Sequence, residues 1–120
     1  MACILFVDDD IFTLETYSRI FTLLGHQTLL SETAEQALEI AKDHKPDLIV
    51  VDMRLQGMDG LQLIKQLKAH PQTAHIPVVM VSAYSDAYAI QAKEVGAVHY
   101  LSKPIHPEKL LEYIEPNRDD

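Results

Sequence analysis

Cysteine is all but absent: Cys3 is the single one in 120 residues. One thiol cannot build an internal disulfide framework, and this scarcity fits a reducing, cytosolic compartment. Cys3 opens a hydrophobic run and is expected to be a buried, inert thiol. Basic residues are also few, 10 Lys and Arg against 18 Asp and Glu, for a formal charge of −8. A nucleic-acid backbone or an anionic membrane surface would repel such a chain, so neither is expected as a direct partner. No apolar run approaches the roughly 20 residues that cross a bilayer. The first residues show no basic segment followed by a hydrophobic stretch, so no signal peptide is expected. Internal repeats, low-complexity tracts and linker-like stretches are missing. The six histidines show no paired ligand spacing. His70 and His75 sit in a polar, proline-containing stretch, and no zinc site is expected.

What is present is an ordinary globular composition, 48% hydrophobic and 23% charged. The length suits one domain, of roughly 100–150 residues. One domain over 1–120 is therefore expected, with a polar tail from Pro116. Five short β-type runs stand out, at 3–7, 27–30, 48–51, 78–81 and 98–101. Three of them (Ile4-Leu5-Phe6-Val7, Leu48-Ile49-Val50-Val51 and Val78-Val79-Met80-Val81) are continuously apolar, the mark of strands covered on both faces. Helix-period segments separate the runs. Ile11, Leu14, Phe21 and Leu24 form one stripe, closed by Gly25. Ala34, Ala37, Leu38 and Ala41 form a second, after Thr33 with Gln36 at capping-box spacing. Leu61, Ile64, Leu67 and Lys68 belong to a third, a fourth runs from about Asp86 to Val95, and a fifth starts at Pro107 and carries Leu110, Leu111 and Ile114. Strand and helix alternate five times, which calls for a parallel sheet with helices on both faces and right-handed crossovers. Ligands bind such sheets beyond the carboxyl ends of the strands.

The residues just past those ends are therefore the ones to read. Asp8, Asp9 and Asp10 follow the first strand, Asp52 the third, Ser82 the fourth, and Lys103 with Pro104 the fifth. Two like charges about 4 Å apart repel by roughly 4 kcal/mol at an effective dielectric near 20. Three mutually close carboxylates would approach the whole stability of a small domain, roughly 5–15 kcal/mol. Lys103 offsets part of this. Raised carboxylate pKa values or a bound cation must relieve the rest. Hard carboxylate oxygens suit Mg²⁺, which keeps several waters and takes one or two carboxylates plus phosphate oxygens.

These segments, taken in order, resemble the receiver domain of two-component response regulators. The resemblance rests on Ile4-Leu5-Phe6-Val7-Asp8-Asp9-Asp10, Pro46-Asp47-Leu48-Ile49-Val50-Val51-Asp52-Met53, Gly57-Met58-Asp59-Gly60, Pro77-Val78-Val79-Met80-Val81-Ser82-Ala83, Gly96-Ala97 and Lys103-Pro104. It covers essentially the whole chain. It implies a flavodoxin-like (βα)5 sandwich with strand order 2-1-3-4-5. It also implies a phosphorylation-activated signalling switch in the cytoplasm, which is not a conventional enzyme and catalyses only its own aspartyl phosphorylation and dephosphorylation. The partners implied are a histidine kinase or histidine phosphotransfer protein and a downstream output protein or domain. The output surface would be the fourth helix, fifth strand and fifth helix, where Tyr88, Tyr100 and Tyr113 are candidates for partner or homodimer contacts.

The resemblance also implies roles. Asp52 looks like the phosphoacceptor. Asp9 would bind Mg²⁺ directly and Asp8 largely through water, with Asp52 and the backbone carbonyl of Arg54 completing the protein ligands. Asp10 is better placed to cap the first helix, since Ile11 begins the apolar stripe. Lys103 would meet a phosphoryl oxygen as a point charge, and the Lys103–Pro104 bond would be cis. Ser82 would hydrogen-bond the phosphoryl group, and Tyr100 would turn inward as the switch aromatic. Arg54 and Tyr84 flank the approach of hydrolytic water and would slow dephosphorylation. Gln56 and Ile105 depart from the common pattern, where proline and phenylalanine are frequent.

Three rival readings use the same residues. Asp8-x-Asp10 after an apolar strand is similar to the nucleophile motif of haloacid-dehalogenase-like phosphatases, with Asp8 attacking, but the usual glycine and threonine are replaced by Ile11-Phe12-Thr13 and there is no room for a cap domain. A phosphorylation-independent, receiver-like interaction module would not need Asp8, Asp9, Asp52, Ser82 and Lys103 together. An FMN-binding flavodoxin would not place three aspartates where its phosphate sits.

Overall fold

The computed structural model describes residues 2–53, 55, 58–83, 88–103 and 105–113. The apolar runs become five parallel strands: β1 (Cys3–Val7), β2 (Gln27–Ser31), β3 (Leu48–Asp52), β4 (Val78–Ser82) and β5 (His99–Ser102). Their spatial order is β2-β1-β3-β4-β5, so the chain reverses direction across the sheet between β1 and β3. The helices are α1 (Ile11–Leu23), α2 (Ala34–His44), α3 (Gly60–Ala69), α4 (Ala89–Glu94) and α5 (Pro107–Leu111). The expected (βα)5 architecture and strand order are thus found.

Side-chain alternation sorts the sheet residues into two cores. Leu5, Val7, Ile49, Val51, Val78, Met80 and Tyr100 pack with the buried faces of α2, α3 and α4. Ile4, Phe6, Leu48, Val50, Val79, Val81 and Leu101 pack on the other face with Leu14 and Phe21 of α1 and Leu110 of α5. Strands buried on both faces have no polar positions to alternate with, which is why their sequences are continuously apolar.

Local chemistry sets the helix ends. Asp10 caps α1, its carboxylate accepting from the amide of Phe12 and the hydroxyl of Thr13. Thr33 caps α2 by accepting from the Gln36 amide at 3.1 Å. The reciprocal capping box lies on α3, where Asp59 accepts from the Gln62 amide and the Gln62 side chain accepts from the Asp59 amide. Gly25 takes φ +92° just past α1, the left-handed conformation that a glycine terminator supplies.

Several boundaries and orientations differ from the sequence reading. β5 begins at His99 rather than Val98, and α4 is shorter than the stripe up to Val95 suggested. Ile11 and Leu24 are exposed, so the buried stripe of α1 narrows to Leu14 and Phe21 with Tyr17 at its edge. Cys3 is half-buried rather than buried. Burial, and secondarily the nearby Asp47, push its thiol pKa upward, so it stays protonated and inert. Arg54, Gln56, Tyr84, Asp86, Pro104 and Ile114 lie outside the described residues, and with them the expectations for the Arg54 carbonyl, the Lys103–Pro104 bond and the start of the fourth helix. No helix of the described residues is long and apolar enough to cross a membrane.

Candidate functional site

The carboxyl edge of the sheet holds a cleft of about 330 Å³ at the point where strand order reverses. Asp52 closes β3 and Ser82 closes β4, while Asp8 and Lys103 stand one residue beyond β1 and β5. Four separate strand ends therefore deliver these groups to one place, as the sequence reading required.

Lys103 Nζ lies 2.9 Å from Asp52 Oδ1 and 3.2 Å from Asp8 Oδ2. Carboxylate oxygens of Asp8, Asp9 and Asp52 all lie within 4.8 Å of one another. Asp8 and Asp52 are buried and Asp9 is exposed. Burial raises the Asp8 pKa above its ordinary value, and Asp52 adds to the rise. The amide of Asp10, donating to Asp8 Oδ1 at 3.0 Å, and the Lys103 ammonium act the other way without cancelling it. For Lys103, burial disfavours the charged form, but the hydrogen bond and charge of Asp52, followed by those of Asp8, outweigh it and push the pKa up to about 12. The ammonium is therefore charged at any physiological pH. It neutralises one of the three carboxylates and leaves an acidic excess. Three hard oxygen donors around one point fit a divalent cation of the Mg²⁺ or Ca²⁺ kind.

Asp10 stays out of this cluster. It is exposed, and its carboxylate is held below its usual range first by the Thr13 hydroxyl at 2.6 Å, so capping is its visible use. Thr13, Met53 and Ala83 also line the cleft and were not singled out from sequence. Thr13 had a signal, a hydroxyl three residues after a cap. Ala83 had none, because it carries no group that chemistry would flag.

Alternation places the site groups on different sides. Asp8 and Asp52 continue the rows of Ile4-Phe6 and Leu48-Val50 toward α1 and α5, and Lys103 continues that of Leu101. Ser82 continues the row of Val78-Met80 toward α3 and α4. Across β4 and β5, Met80 pairs with Tyr100 and Ser82 with Ser102, so Ser82 and Tyr100 are diagonal neighbours on one face. Tyr100 is buried, with 7% exposure. This corrects its place among surface tyrosines: the ring fills the core against Met80. Tyr88 and Tyr113 are half-buried, and Tyr113 stacks on His99 with ring centroids 5.3 Å apart.

The response regulator receiver domain family matches residues 4–115 of this sequence. The chain belongs to that family. Receiver domains are phosphorylation-activated switches of two-component signal transduction. They bind a divalent metal at the acidic pocket and work with kinases or phosphotransfer proteins and with output domains. Among relatives, the phosphate regulon transcriptional regulatory protein PhoB of Pseudomonas aeruginosa is 37% identical over 109 residues, which are 90% of this chain and 48% of that protein. This receiver thus spans about half the length of that relative. A response-regulator structure from Chloroflexus aurantiacus superposes with a TM-score of 0.87 at 31% identity, covering 96% of this chain and 95% of the other. A response regulator from Burkholderia pseudomallei, with a phosphorylated aspartic acid, a calcium ion and citrate, superposes with a TM-score of 0.86 at 29% identity, covering 98% and 68%. Membership in this family does not favour the phosphatase reading.

Proposed function

We propose that Asp52 is the phosphoacceptor and that its donor is a phosphohistidine on a histidine kinase or phosphotransfer protein. The observation that carries this reading is the seat of Lys103, whose ammonium bridges Asp52 and Asp8 at 2.9 and 3.2 Å beside the open cleft. In the transfer, an Asp52 carboxylate oxygen forms the new O–P bond while the P–N bond to the imidazole breaks and that nitrogen keeps the bonding pair. Such a transfer needs alignment and charge neutralisation more than covalent assistance. Lys103 meets the phosphoryl oxygens as a point charge, and the Ser82 hydroxyl hydrogen-bonds them. Asp8, Asp9 and Asp52, with the Arg54 carbonyl, would hold Mg²⁺. When bound, the ion supplies the positive charge that lets a phosphoryl dianion enter an acidic site.

The donor must sit over the mouth of the cleft, and α1 starts there. Its outer face carries large apolar side chains in water, with Phe12 74% and Leu23 82% exposed and Ile20 near them. An isolated amphipathic helix would carry polar residues on that side. This stripe is the surface we assign to the donor. Ser82 and Tyr100 form the switch, and the α4-β5-α5 face, where Ile90 and Val98 are exposed, passes the change to an output partner or a second copy. Arg54 and Tyr84 slow the hydrolysis of the phospho-state, which the decay rates of Arg54→Ala and Tyr84→Ala test directly. The chain works as one receiver unit in the cytoplasm.

Incubation with Mg²⁺ and acetyl phosphate, followed by mapping of the labelled residue, tests the central claim. Label on Asp52, and none in Asp52→Asn, is expected. Label on Asp8, or equal labelling of both proteins, would overturn it.

A further inference from the structure

Gly60 opens α3 in an ordinary helical conformation, so its backbone does not call for glycine. A glycine there only adds conformational freedom to the unfolded chain. What calls for it is a close approach. A Cβ on Gly60 would stand 2.5 Å from the backbone carbonyl oxygen of Asp52, 2.9 Å from Met80 Cε and 3.1 Å from Met53 Cα. The Met80 methyl is the end of a flexible side chain and can swing away. The other two atoms are main chain at and just past the end of β3: the 2.5 Å approach to the Asp52 oxygen is closer than a real Cβ makes, and the 3.1 Å approach to Met53 Cα is tight.

The approach is fixed from both sides. The Gly60 amide donates to the Met53 carbonyl at 2.8 Å, tying the first turn of α3 to the residue after Asp52. The Asp59–Gln62 capping box holds that turn in place. On the far side, the Met53 amide donates to the Val81 carbonyl at 2.9 Å, so the end of β3 is held to β4. The Asp52 peptide is thus clamped between α3 and the sheet, while its carboxylate projects to the opposite face toward Lys103.

We propose that Gly60 is a positioning residue for phosphoryl acceptance. Its missing side chain lets α3 press on the Asp52 main chain, which sets where the carboxylate stands relative to Lys103, Asp8 and Asp9. This rests on the reading of Asp52 as phosphoacceptor. Adding a methyl group forces the strand end or the helix to move by at least about half an ångström. A misplacement of about 1 Å in a reacting group costs on the order of 100-fold in rate, so a loss on the order of tenfold is expected.

The test is Gly60→Ala, with Gly60→Ser as a second variant and Leu61→Ala as the comparison. Leu61 is a half-buried neighbour on α3 that packs on the core and loosens the helix without a methyl group at the Asp52 carbonyl. Phosphorylation by acetyl phosphate is measured per folded molecule at saturating Mg²⁺, with thermal unfolding recorded alongside. The expected result is a folded Gly60→Ala protein phosphorylated about tenfold more slowly, with Leu61→Ala at the wild-type rate despite its lower melting temperature. A wild-type rate in folded Gly60→Ala overturns the proposal. So does failure of both Gly60 variants to fold, because the glycine then serves the fold alone. Mapping the label in the unsubstituted protein separates this from the underlying reading: label away from Asp52 removes that reading whatever Gly60 does.

Discussion

Replacing Lys103 by methionine removes the cation that, among the described residues, bridges Asp8 and Asp52, at nearly constant side-chain length. At 2.9 and 3.2 Å the two contacts are each worth about 5–6 kcal/mol of attraction at an effective dielectric near 20. Most of that is offset by desolvation. The rise of the Lys103 pKa from 10.5 to about 12 corresponds to about 2 kcal/mol in favour of the charged form, and water reaching a side chain that is 28% exposed trims this to about 1 kcal/mol. The methionine variant also leaves two buried carboxylates facing each other. Breaking a buried pair costs about 3–5 kcal/mol, and a cleft open to solvent should sit below that, at about 2–3 kcal/mol. The assay is urea unfolding in EDTA near neutral pH. With a slope of about 1–3 kcal/mol per molar, the midpoint should fall by about 1 M. The raised pKa means that the contribution of Lys103 is fully present below pH 10.5 and lost as pH rises toward 12, so a neutral measurement captures all of it. Acid should narrow the deficit, because Asp8 in the variant loses the lowering influence of the ammonium and takes up its proton at higher pH. Mg²⁺ should narrow it as well. Equal stability of the two proteins in EDTA, or a deficit indifferent to both acid and Mg²⁺, would refute this account of the site.

Three further outcomes are expected. Asp8→Asn should stabilise the metal-free protein near neutral pH, seen as a higher denaturant midpoint in EDTA, since the raised pKa means that the folded state holds its Asp8 carboxylate at a cost there; the same substitution should weaken Mg²⁺ binding, measured by titration calorimetry. Phe12→Ala and Leu23→Ala should slow phosphoryl transfer from a phosphohistidine protein at least tenfold, about 1.4 kcal/mol of contact, and leave the rate with acetyl phosphate unchanged; equal rates with the protein donor would remove α1 as the docking face. His99 has its pKa lowered by burial and then by Lys93 and Lys109, so it favours the fold when neutral. Stability should therefore fall as pH drops from 6.5 through the lower folded value, and a His99→Gln protein should show a shallower loss in chemical denaturation across that range.

The core elements were legible because burial on both faces leaves an unmistakable pattern. Ile4-Leu5-Phe6-Val7 and Val78-Val79-Met80-Val81 are strands in the sequence and in the fold. Asp8, Asp52, Ser82 and Lys103 were legible because topology carries strand ends to one edge. Other features were not, for physical reasons. Ile11 and Leu24 satisfy the period of α1 yet face water, because periodicity shows which residues share a face and does not show what covers it. Tyr100 reads as a candidate contact residue on the output surface, and the pairing of β5 with β4 puts it against Met80 in the core instead. Gly60 could be quoted as part of Gly57-Met58-Asp59-Gly60, but its contact with the Asp52 carbonyl depends on how closely α3 approaches β3, a distance between elements that no local pattern encodes.

The alternation of the sheet gives the switch a physical route. Asp8, Asp52 and Lys103 lie on the side of α1 and α5, the side of the proposed donor surface. Ser82 and Tyr100 lie on the side of α3 and α4. In the proposed switch, charge would arrive on one face while packing responds on the other, across the sheet backbone. Hydrogen bonds such as Met53 N–H to Val81 O at 2.9 Å and Lys103 N–H to Ser82 O at 2.8 Å lock the strand ends together. In the proposed switch, a displacement of Ser82 toward a phosphoryl group would not stay local: it would pull on the Lys103 amide and open space beside its diagonal neighbour Tyr100. A tightly packed core resists such a void, so under that proposal the tyrosine ring is the element whose position a phosphoryl group would bias.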